Sequence, residues 1–194
     1  MHYIVGVDEA GRGPLAGPVA VGVIAVAPGY DILAAFPGLN DSKKLSEKKR
    51  VVLFKLLQDE IRAGNVRASV QLSSAAMIDG EGIVPSVRSA LYKGVRKLLP
   101  NPEEGKVYLD GSLKAPPEYE QETVIGGDGI VPAIMLASIA AKVTRDARML
   151  ELDSNYPGYG FATHKGYGTK AHYAAIQELG MCSEHRKTFI KVRP

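Results

Sequence analysis

The spacing of apolar residues predicts a chain that opens with two strands and then mixes strands with helices. Residues 3–7 and 19–26 are short runs rich in Val and Ile, which is typical of strands buried in a sheet. Three further runs with strand character follow at residues 66–72, 106–109 and 122–125. This mixture of elements predicts an α/β or α+β fold built around one sheet.

Helical spacing separates these strands. Ser46 has the character of an N-cap and opens a predicted helix that ends near Ala63. The apolar positions at about helical spacing in it are Val51, Val52, Phe54, Leu56, Leu57 and Ile61. Further helices are predicted at residues 73–79, from about Pro85 to the residue before Pro100, from Pro132 through Leu152, and at 170–179. Residues 153–168 are predicted to form a loop, and the whole chain, 1–194, is predicted to be a single domain.

The composition excludes several classes of protein. Hydrophobic residues make up 45% and charged residues 23% of the 194 positions, which excludes a disordered tail, a fibrous protein and a membrane protein. The longest apolar stretch, residues 18–28, is too short to span a bilayer, and the N-terminus lacks the pattern of a signal peptide. We therefore expect a cytoplasmic protein with no membrane partner. The single cysteine, Cys182, excludes an internal disulfide and is expected to be a free thiol, the alternative being a nucleophile.

Basic residues are concentrated in two segments, although the net charge is only +3. One segment runs from Lys43 to Arg50, and the other follows Glu184. Either segment alone is more typical of a solvated face. We nevertheless predict that both contact the phosphates of a nucleic acid. The cations of the second segment are Arg186, Lys187, Lys191 and Arg193.

Acidic residues stand where three of the predicted strands end. These residues are Asp8 with Glu9, Asp110, and Asp128. If they converge, their repulsion needs a cation, and oxygen ligands favour Mg²⁺ or Mn²⁺, so the set predicts a two-metal site for phosphoryl transfer. The alternative is that each acid simply belongs to a turn. Neighbouring side chains of a strand point to opposite faces, so Asp8 and Glu9 can share a site only if the strand ends or kinks between them.

The segment Gly11-Arg12-Gly13 follows the first acidic pair directly. Its two glycines expose the backbone to a ligand, and the arginine between them could hold a phosphate. Such a turn could also recognise a ribose 2′-hydroxyl group, which distinguishes RNA from DNA. The alternative is a tight turn with a solvated arginine. Neither GxxxxGK[ST] nor GxGxxG occurs, so the sequence gives no support for binding a nucleoside triphosphate through those motifs.

Residues 156–173 combine aromatic rings and cations in a glycine-rich segment. Aromatic faces beside cations suit a nucleic-acid sugar or base next to its phosphates. Three aromatic residues are predicted to pack this segment onto the domain: Tyr156, Tyr159 and Phe161. Tyr167 is predicted to contact the ligand instead. His164 and His172 lack a third His or Cys at metal-binding spacing, so we expect a structural or substrate-facing role for both.

Several motifs in this chain strongly resemble those of the ribonuclease HII family. They are DEAGRGPLAGP at 8–18, NDSKKL at 40–45, LDG at 109–111, ASIAAKV followed by RD within 137–146, HKGYGT at 164–169, and HR at 185–186. The resemblance implies an RNase H-like fold, with a central mixed sheet flanked by helices and a small helical C-terminal part. Residues 153–194 would then contribute a substrate-binding loop and helix.

The resemblance also implies a metal-dependent endonuclease for RNA paired with DNA. Its substrates would include a single ribonucleotide in duplex DNA, cut on the 5′ side to leave a 3′-hydroxyl and a 5′-phosphate during ribonucleotide removal. Two Mn²⁺ or Mg²⁺ ions would be held by the family's four acids, which fall on Asp8, Glu9, Asp110 and Asp128. The substrate-binding positions of the family fall on Gly11, Arg12, Gly13, Asn40, Ser42, Lys43 and Tyr167. The alternative is a non-catalytic nucleic-acid-binding module of the same fold, which the presence of all four acids disfavours.

Two positions separate this chain from related patterns. Arg12 stands where the HIII type of ribonuclease H typically has a lysine or another residue, which favours type HII. The HII family commonly has a lysine two residues before its fourth acid, whereas this chain has Gly126, so a local cation is lost. Asp146 is a candidate additional acid near the site. We expect the enzyme to act as a monomer.

Overall fold

The fold is a five-stranded mixed sheet with helices on both faces, as the pattern and the resemblance predict. The computed structural model describes residues 2–190, so Lys191 and Arg193 lie outside the described residues. The strands are β1 (Tyr3–Ala10), β2 (Val19–Val26), β3 (Val66–Ser73), β4 (Gly105–Asp110) and β5 (Glu120–Val124). The α-helices are α1 (Ile32–Ala35), α2 (Glu47–Arg62), α3 (Ala75–Glu81), α4 (Ile83–Leu98), α5 (Pro132–Asn155), α6 (Phe161–His164) and α7 (Lys170–Leu179).

The order of the strands brings three carboxyl ends to one edge of the sheet. In space the strands lie in the order β3-β2-β1-β4-β5. β4 is parallel to both β1 and β5, whereas β2 is antiparallel to β1 and β3. Val7 of β1 pairs with Leu109 of β4, so the next residue of each strand, Asp8 and Asp110, comes level at that edge. The predicted end of β1 at residue 7 was wrong, because pairing with β2 continues through Ala10.

Two apolar cores fill the space between the sheet and its helices. On one face, Val5 and Val7 pack with α4, and on the other Ile24 packs with α2 and α5. α5 lies close against the sheet, since a Cβ atom on Gly22 would stand only 2.2 Å from the carbonyl oxygen of Ala137. Within residues 2–190, no helix combines the length and the apolar character needed to cross a bilayer.

Helix α2 begins as predicted, and it buries only a narrow part of its apolar surface. The Ser46 side chain accepts a hydrogen bond from the amide of Lys49, which caps the helix. Leu53 and Leu57, one turn apart, are its buried side chains, whereas 52% of Val51 is exposed. Three of the apolar positions at helical spacing, Val51, Val52 and Ile61, are exposed, because the part of the helix that faces the sheet is narrower than the apolar pattern.

The C-terminal part contains more helix than predicted. α5 continues to Asn155, and α6 occupies part of the segment 153–168 that was predicted to be a loop. Tyr159 and Phe161 are buried and stacked, with ring centroids 5.3 Å apart, so their predicted packing role is confirmed. α7 has the predicted bounds and is capped by Thr169, whose side chain accepts from the amide of His172.

Candidate active site

Three carboxylates meet at the edge where β1 and β4 end. Asp8, Asp110 and Asp128 each offer one oxygen, and these atoms all lie within 4.8 Å of one another. Asp128 lies on a 3₁₀ turn after β5, and its amide donates to Oδ1 of Asp110 at 3.3 Å. Asp8 and Asp128 are buried, with 5% and 6% of their surfaces exposed. We call these three residues the acidic cluster.

Glu9 lies outside the acidic cluster, as its carboxylate is not among the oxygens that lie within 4.8 Å of one another. The pairing of β1 with β2 continues past Asp8 to Ala10, and Asp8 faces Ser138 of α5. Glu9 instead bonds to Arg12, whose Nη1 donates to Oε1 at 3.4 Å. Both acids nevertheless line the same cleft of about 390 Å³.

Burial and neighbouring carboxylates disfavour the ionised form of two acids at the cleft, Asp8 and Glu9. Burial raises the pKa of Asp8 to about 7, with smaller contributions from the charges of Glu9 and Asp110, while a hydrogen bond from Ser138 opposes the rise. Burial also raises the pKa of Glu9, against the opposing charge of Arg12. A cation would stabilise the ionised form of Asp8 beside two further carboxylates, and an all-oxygen donor set suits Mg²⁺ or Mn²⁺. The cluster therefore fits the divalent metal that the sequence predicts.

Lys43 supplies a cation to the acidic cluster. Its Nζ donates to Oδ2 of Asp128 at 2.7 Å, and this bond raises the pKa of Lys43. The ammonium group thus reaches Asp128 from another loop, although the lysine that the family has near that acid is replaced by Gly126. Ser42 also lines the cleft, where its hydroxyl lies 2.8 Å from that of Ser138. Asn40, in contrast, is exposed and does not line this cleft.

The Gly11-Arg12-Gly13 segment, which we call the glycine turn, lines the cleft beside the acids. Gly11 has φ of 88°, and a Cβ atom there would lie 1.8 Å from Nε of Arg145. Only glycine fits that position. Gly13 differs, since a Cβ atom there would have no heavy atom within 4 Å. The first glycine is therefore needed by the fold, while the second leaves open space for a ligand.

Arg186 holds the glycine turn from behind. It is fully buried, and its guanidinium donates to the carbonyl oxygens of Gly11 at 2.7 Å, Arg12 at 3.0 Å and Gly17 at 3.0 Å. The predicted phosphate contact of Arg186 was therefore wrong, because its guanidinium is buried and bonds to backbone carbonyl oxygens of the protein. Burial lowers the pKa of Arg186 to about 9, a cost that the three carbonyl dipoles offset.

A second buried arginine secures the segments next to the turn. Arg145 donates to the carbonyl oxygens of Pro18 at 2.8 Å and Lys165 at 3.0 Å. Burial lowers the pKa of Arg145 as well. Throughout residues 2–190, no carboxylate forms an ion pair with Arg145 or Arg186. The sequence motifs contain both arginines, but nothing in their spacing shows that they are buried.

Tyr167 lies at the cleft, as predicted. It is 46% exposed and lines the cleft together with the glycine turn and two acids of the acidic cluster. Its carbonyl oxygen accepts from the amide of Thr169 at 2.8 Å and lies 2.9 Å from Nδ1 of His172. The ring is thus free to meet a ligand while the backbone is fixed.

Three other candidate residues lie outside the acidic cluster. Asp146 is paired with Lys142 one turn earlier in α5, at 2.8 Å. Burial raises the pKa of the Cys182 thiol, which opposes the thiolate that a nucleophile needs. His172 does have a close nitrogen neighbour that the spacing did not reveal, since its Nε2 lies 3.1 Å from Nε2 of His185.

Comparison with known proteins identifies the family. The model of the Ribonuclease HII family matches residues 5–193. Ribonuclease HII of Geobacter sp. (strain M21) is 46% identical over 190 residues, which cover 98% of this chain and 78% of that protein. Ribonuclease HII of Coxiella burnetii (strain Dugway 5J108-111) is 46% identical over 191 residues, covering 98% and 89%.

A solved structure has the same fold. The RNase HII of Archaeoglobus fulgidus, solved in a complex with PCNA, superposes with a TM-score of 0.75 at 23% identity, covering 99% of this chain and 96% of that one. The fold, the acidic cluster and the matched relatives agree. This chain therefore belongs to the ribonuclease HII family of metal-dependent endonucleases, which act on RNA paired with DNA.

Proposed function

We propose that this chain cuts the RNA strand of RNA–DNA hybrids and also cuts on the 5′ side of a single ribonucleotide in duplex DNA. The products would carry a 3′-hydroxyl and a 5′-phosphate, so the reaction would begin the removal of ribonucleotides from DNA. One observation carries this proposal: two acids of the acidic cluster share a single cleft with the glycine turn and Tyr167.

The acids would hold the metal and organise the phosphate. Asp8, Asp110 and Asp128 already place their oxygens around one point, and Glu9 adds a carboxylate at the rim of the same cleft. Two Mn²⁺ or Mg²⁺ ions bound there would activate water and stabilise the charge that develops on the scissile phosphate. Lys43, next to Asp128, is placed to contact the phosphate backbone.

The glycine turn would recognise the ribonucleotide mainly through donors. Arg186 occupies the carbonyl oxygens of Gly11 and Arg12. Among the hydrogen bonds within residues 2–190, none uses the amide of Arg12 or Gly13 as its donor. These amides are available to an oxygen of the substrate, and the open side of Gly13 allows a ribose with its 2′-hydroxyl to come close.

Tyr167 would read the next sugar along the strand. Its exposed ring can pack against a deoxyribose, whereas a 2′-hydroxyl on that sugar would crowd the ring and need its own hydrogen-bond partner. This asymmetry favours an RNA–DNA junction over continuous RNA. We also propose that the protein acts as a monomer in the cytoplasm, a reducing compartment in which Cys182 would remain a free thiol.

The central experiment uses a DNA duplex that contains one ribonucleotide at a known position. We expect a single metal-dependent cut on its 5′ side, no cut in the all-DNA duplex, and no cut in EDTA. Extension by a DNA polymerase will detect the 3′-hydroxyl, and ligation will detect the 5′-phosphate. Tight binding without any cut in Mg²⁺ or Mn²⁺ would instead identify a non-catalytic binding module.

Two variants test how the substrate is recognised. Tyr167→Ala should lose one to two decades of kcat/KM on the single ribonucleotide, and less on a long hybrid, because stacking is worth ~1–3 kcal/mol. Tyr173→Ala is the matched control, since its ring is equally exposed, at 46%, but does not line the cleft. Gly13→Ala should fold normally and lose activity. Equal losses on both substrates would remove the junction role from Tyr167.

A further inference from the structure

Two buried histidines lie behind Tyr167 without lining the cleft. His172, in α7, and His185, in the segment that follows α7, are 0% and 1% exposed. Nδ1 of His172 lies 2.9 Å from the carbonyl oxygen of Tyr167, and its Nε2 lies 3.1 Å from Nε2 of His185. Nδ1 of His185 lies 3.0 Å from the amide nitrogen of Cys182. The four groups form one unbroken chain of hydrogen bonds.

Only one placement of protons satisfies this chain. The Tyr167 carbonyl can only accept, so Nδ1 of His172 carries a proton. The Cys182 amide can only donate, so Nδ1 of His185 is unprotonated. The Cys182 sulfur also lies 3.1 Å from this nitrogen, and its S–H group can donate to it, which agrees with the same placement. The proton between the rings therefore belongs to Nε2 of His185, which donates to Nε2 of His172. Both rings are neutral, and a second proton on either ring would place two donors against each other.

The chain of hydrogen bonds connects the two elements that we propose for substrate recognition. One end fixes the backbone of Tyr167. Its second ring, His185, directly precedes Arg186, whose guanidinium holds the carbonyl oxygens of Gly11 and Arg12. His185 is also bridged to Ala16, just after the glycine turn. The position of Tyr167 relative to the glycine turn thus depends on two buried histidines whose ring nitrogens each have one fixed role, as donor or as acceptor.

We propose that His172 and His185 are positioning residues that set Tyr167 relative to the glycine turn and thereby set the preference for RNA–DNA junctions. This inference rests on the proposed role of Tyr167. Neither histidine lines the cleft, and their ring nitrogens bond to the carbonyl of Tyr167, to each other and to Cys182. The third ring of the group, His164, stacks on His172 at 4.4 Å, but its nitrogens face the carbonyl of Tyr159 and the amide of Gly166.

Two substitutions at one position separate positioning from general stability. The amide nitrogen of Asn can replace Nδ1, so His172→Asn keeps the bond to Tyr167 and loses the bond to His185. The amide oxygen of Gln can replace Nε2, so His172→Gln keeps the bond from His185 and loses the bond to Tyr167. Each variant loses one buried hydrogen bond, and a purely structural role would give both the same activities.

The first readout is the ratio of kcat/KM on a single ribonucleotide to that on a long hybrid. We expect His172→Gln to lower this ratio by roughly fivefold to tenfold, the effect of one lost hydrogen bond, and His172→Asn to keep it within about twofold. Equal ratios in the two variants, at similar unfolding midpoints, would overturn the inference.

The second readout is independent of activity. ¹⁵N NMR of the native protein should show a proton on Nδ1 of His172 and on Nε2 of His185, and the opposite tautomers would also overturn the inference. Amide hydrogen exchange at Tyr167 and Thr169 should accelerate in His172→Gln but not in His172→Asn. If Tyr167→Ala affects both substrates equally, the proposed junction role fails, and these NMR and exchange results alone decide whether the histidines position the loop.

Discussion

The acidic cluster lies at the cleft and the groups behind the glycine turn lie beneath it, and the buried polar groups of these two regions are paired in opposite ways. In the acidic cluster, like charges are adjacent, and burial raises the pKa of Asp8 to about 7. Behind the turn, Arg145, Arg186, His172 and His185 each have complementary partners within the chain. The charges of the acidic cluster need a bound cation, whereas the polar groups behind the glycine turn are paired by the protein itself. The chemistry therefore depends on a bound metal, whereas the substrate discrimination that we propose would depend on groups that the fold itself holds in place.

Asp110→Asn gives the largest effect expected from this difference. The amide keeps an oxygen for the Asp128 amide but removes a charge from the metal ligands, so cleavage should fall ~10³-fold or more. The unfolding midpoint without metal should stay constant or rise, since repulsion of Asp8 is relieved. The matched control is Asp146→Asn, which removes another buried acid outside the acidic cluster and should retain most activity. Equal losses in both variants would remove the distinction between the cluster and Asp146.

Arg186→Met tests the pairing of polar groups behind the glycine turn through the free energy of unfolding. The variant leaves three buried carbonyl oxygens without their donor, so the free energy of unfolding should fall by about 3 kcal/mol. Lys187→Met changes the exposed neighbouring cation and should cost less than about 0.5 kcal/mol. Urea unfolding measures both. A small loss for Arg186→Met would show that water or the turn itself satisfies these carbonyls.

The two regions should also respond to pH with opposite signs. Asp8 has its pKa raised from 3.8 to about 7, so its contribution to stability is present below pH 3.8 and is lost as the pH rises through 7. His172 has its pKa lowered from 6.5 to about 4, mainly by burial, so its contribution is present above pH 6.5 and is lost as the pH falls through 4.

Urea unfolding in EDTA between pH 4 and pH 6.5 isolates the two contributions. Relative to the wild type, Asp8→Asn should gain stability as the pH rises, and His172→Asn should lose it, each by up to ~1.4 kcal/mol per pH unit. Slopes of the same sign would contradict the contrast between the two regions.

Lys43→Ala should give the smallest effect. Removing one phosphate contact should weaken substrate binding a few-fold and reduce the slope of log K against log salt by about 0.9 in magnitude. The choice of junction should not change, because Lys43 belongs to the acidic side of the cleft. Lys44→Ala is the control, since Lys44 is exposed next in sequence but does not line the cleft. Binding assays in EDTA prevent cleavage. Identical behaviour of the two variants would indicate only a diffuse basic surface.

The elements of the fold could be predicted because local signals agree with tertiary packing. The bounds of β2 and α7 match their predictions, and the cap at Ser46 starts α2 where expected. The buried face of α2 could not be read, because an apolar pattern records which side chains could be buried and not which ones a neighbouring element covers. Val51 remained exposed for that reason.

The residue types at the candidate site could be predicted from the sequence, but the buried residues that hold the site in place could not. Three acids converge as expected from strand ends, while Glu9 lines the same cleft and bonds to Arg12. A basic residue in a basic segment reads as a surface group, so Arg186 was misinterpreted; its burial depends on carbonyls far away in sequence. The contact between His172 and His185 is equally invisible to metal-ligand spacing, since the chain must first turn after α7.

The bond from Arg186 to the carbonyl of Gly11 joins residues 175 positions apart. Protein synthesis proceeds from the N-terminus, so the strands and all the acids of the acidic cluster are made before Arg186. A nascent chain that lacks this residue can assemble its sheet but cannot anchor the glycine turn. Closing such a long loop is also a slow and late event in folding. The anchor of the glycine turn is therefore the last part of the cleft's surroundings that the growing chain can supply.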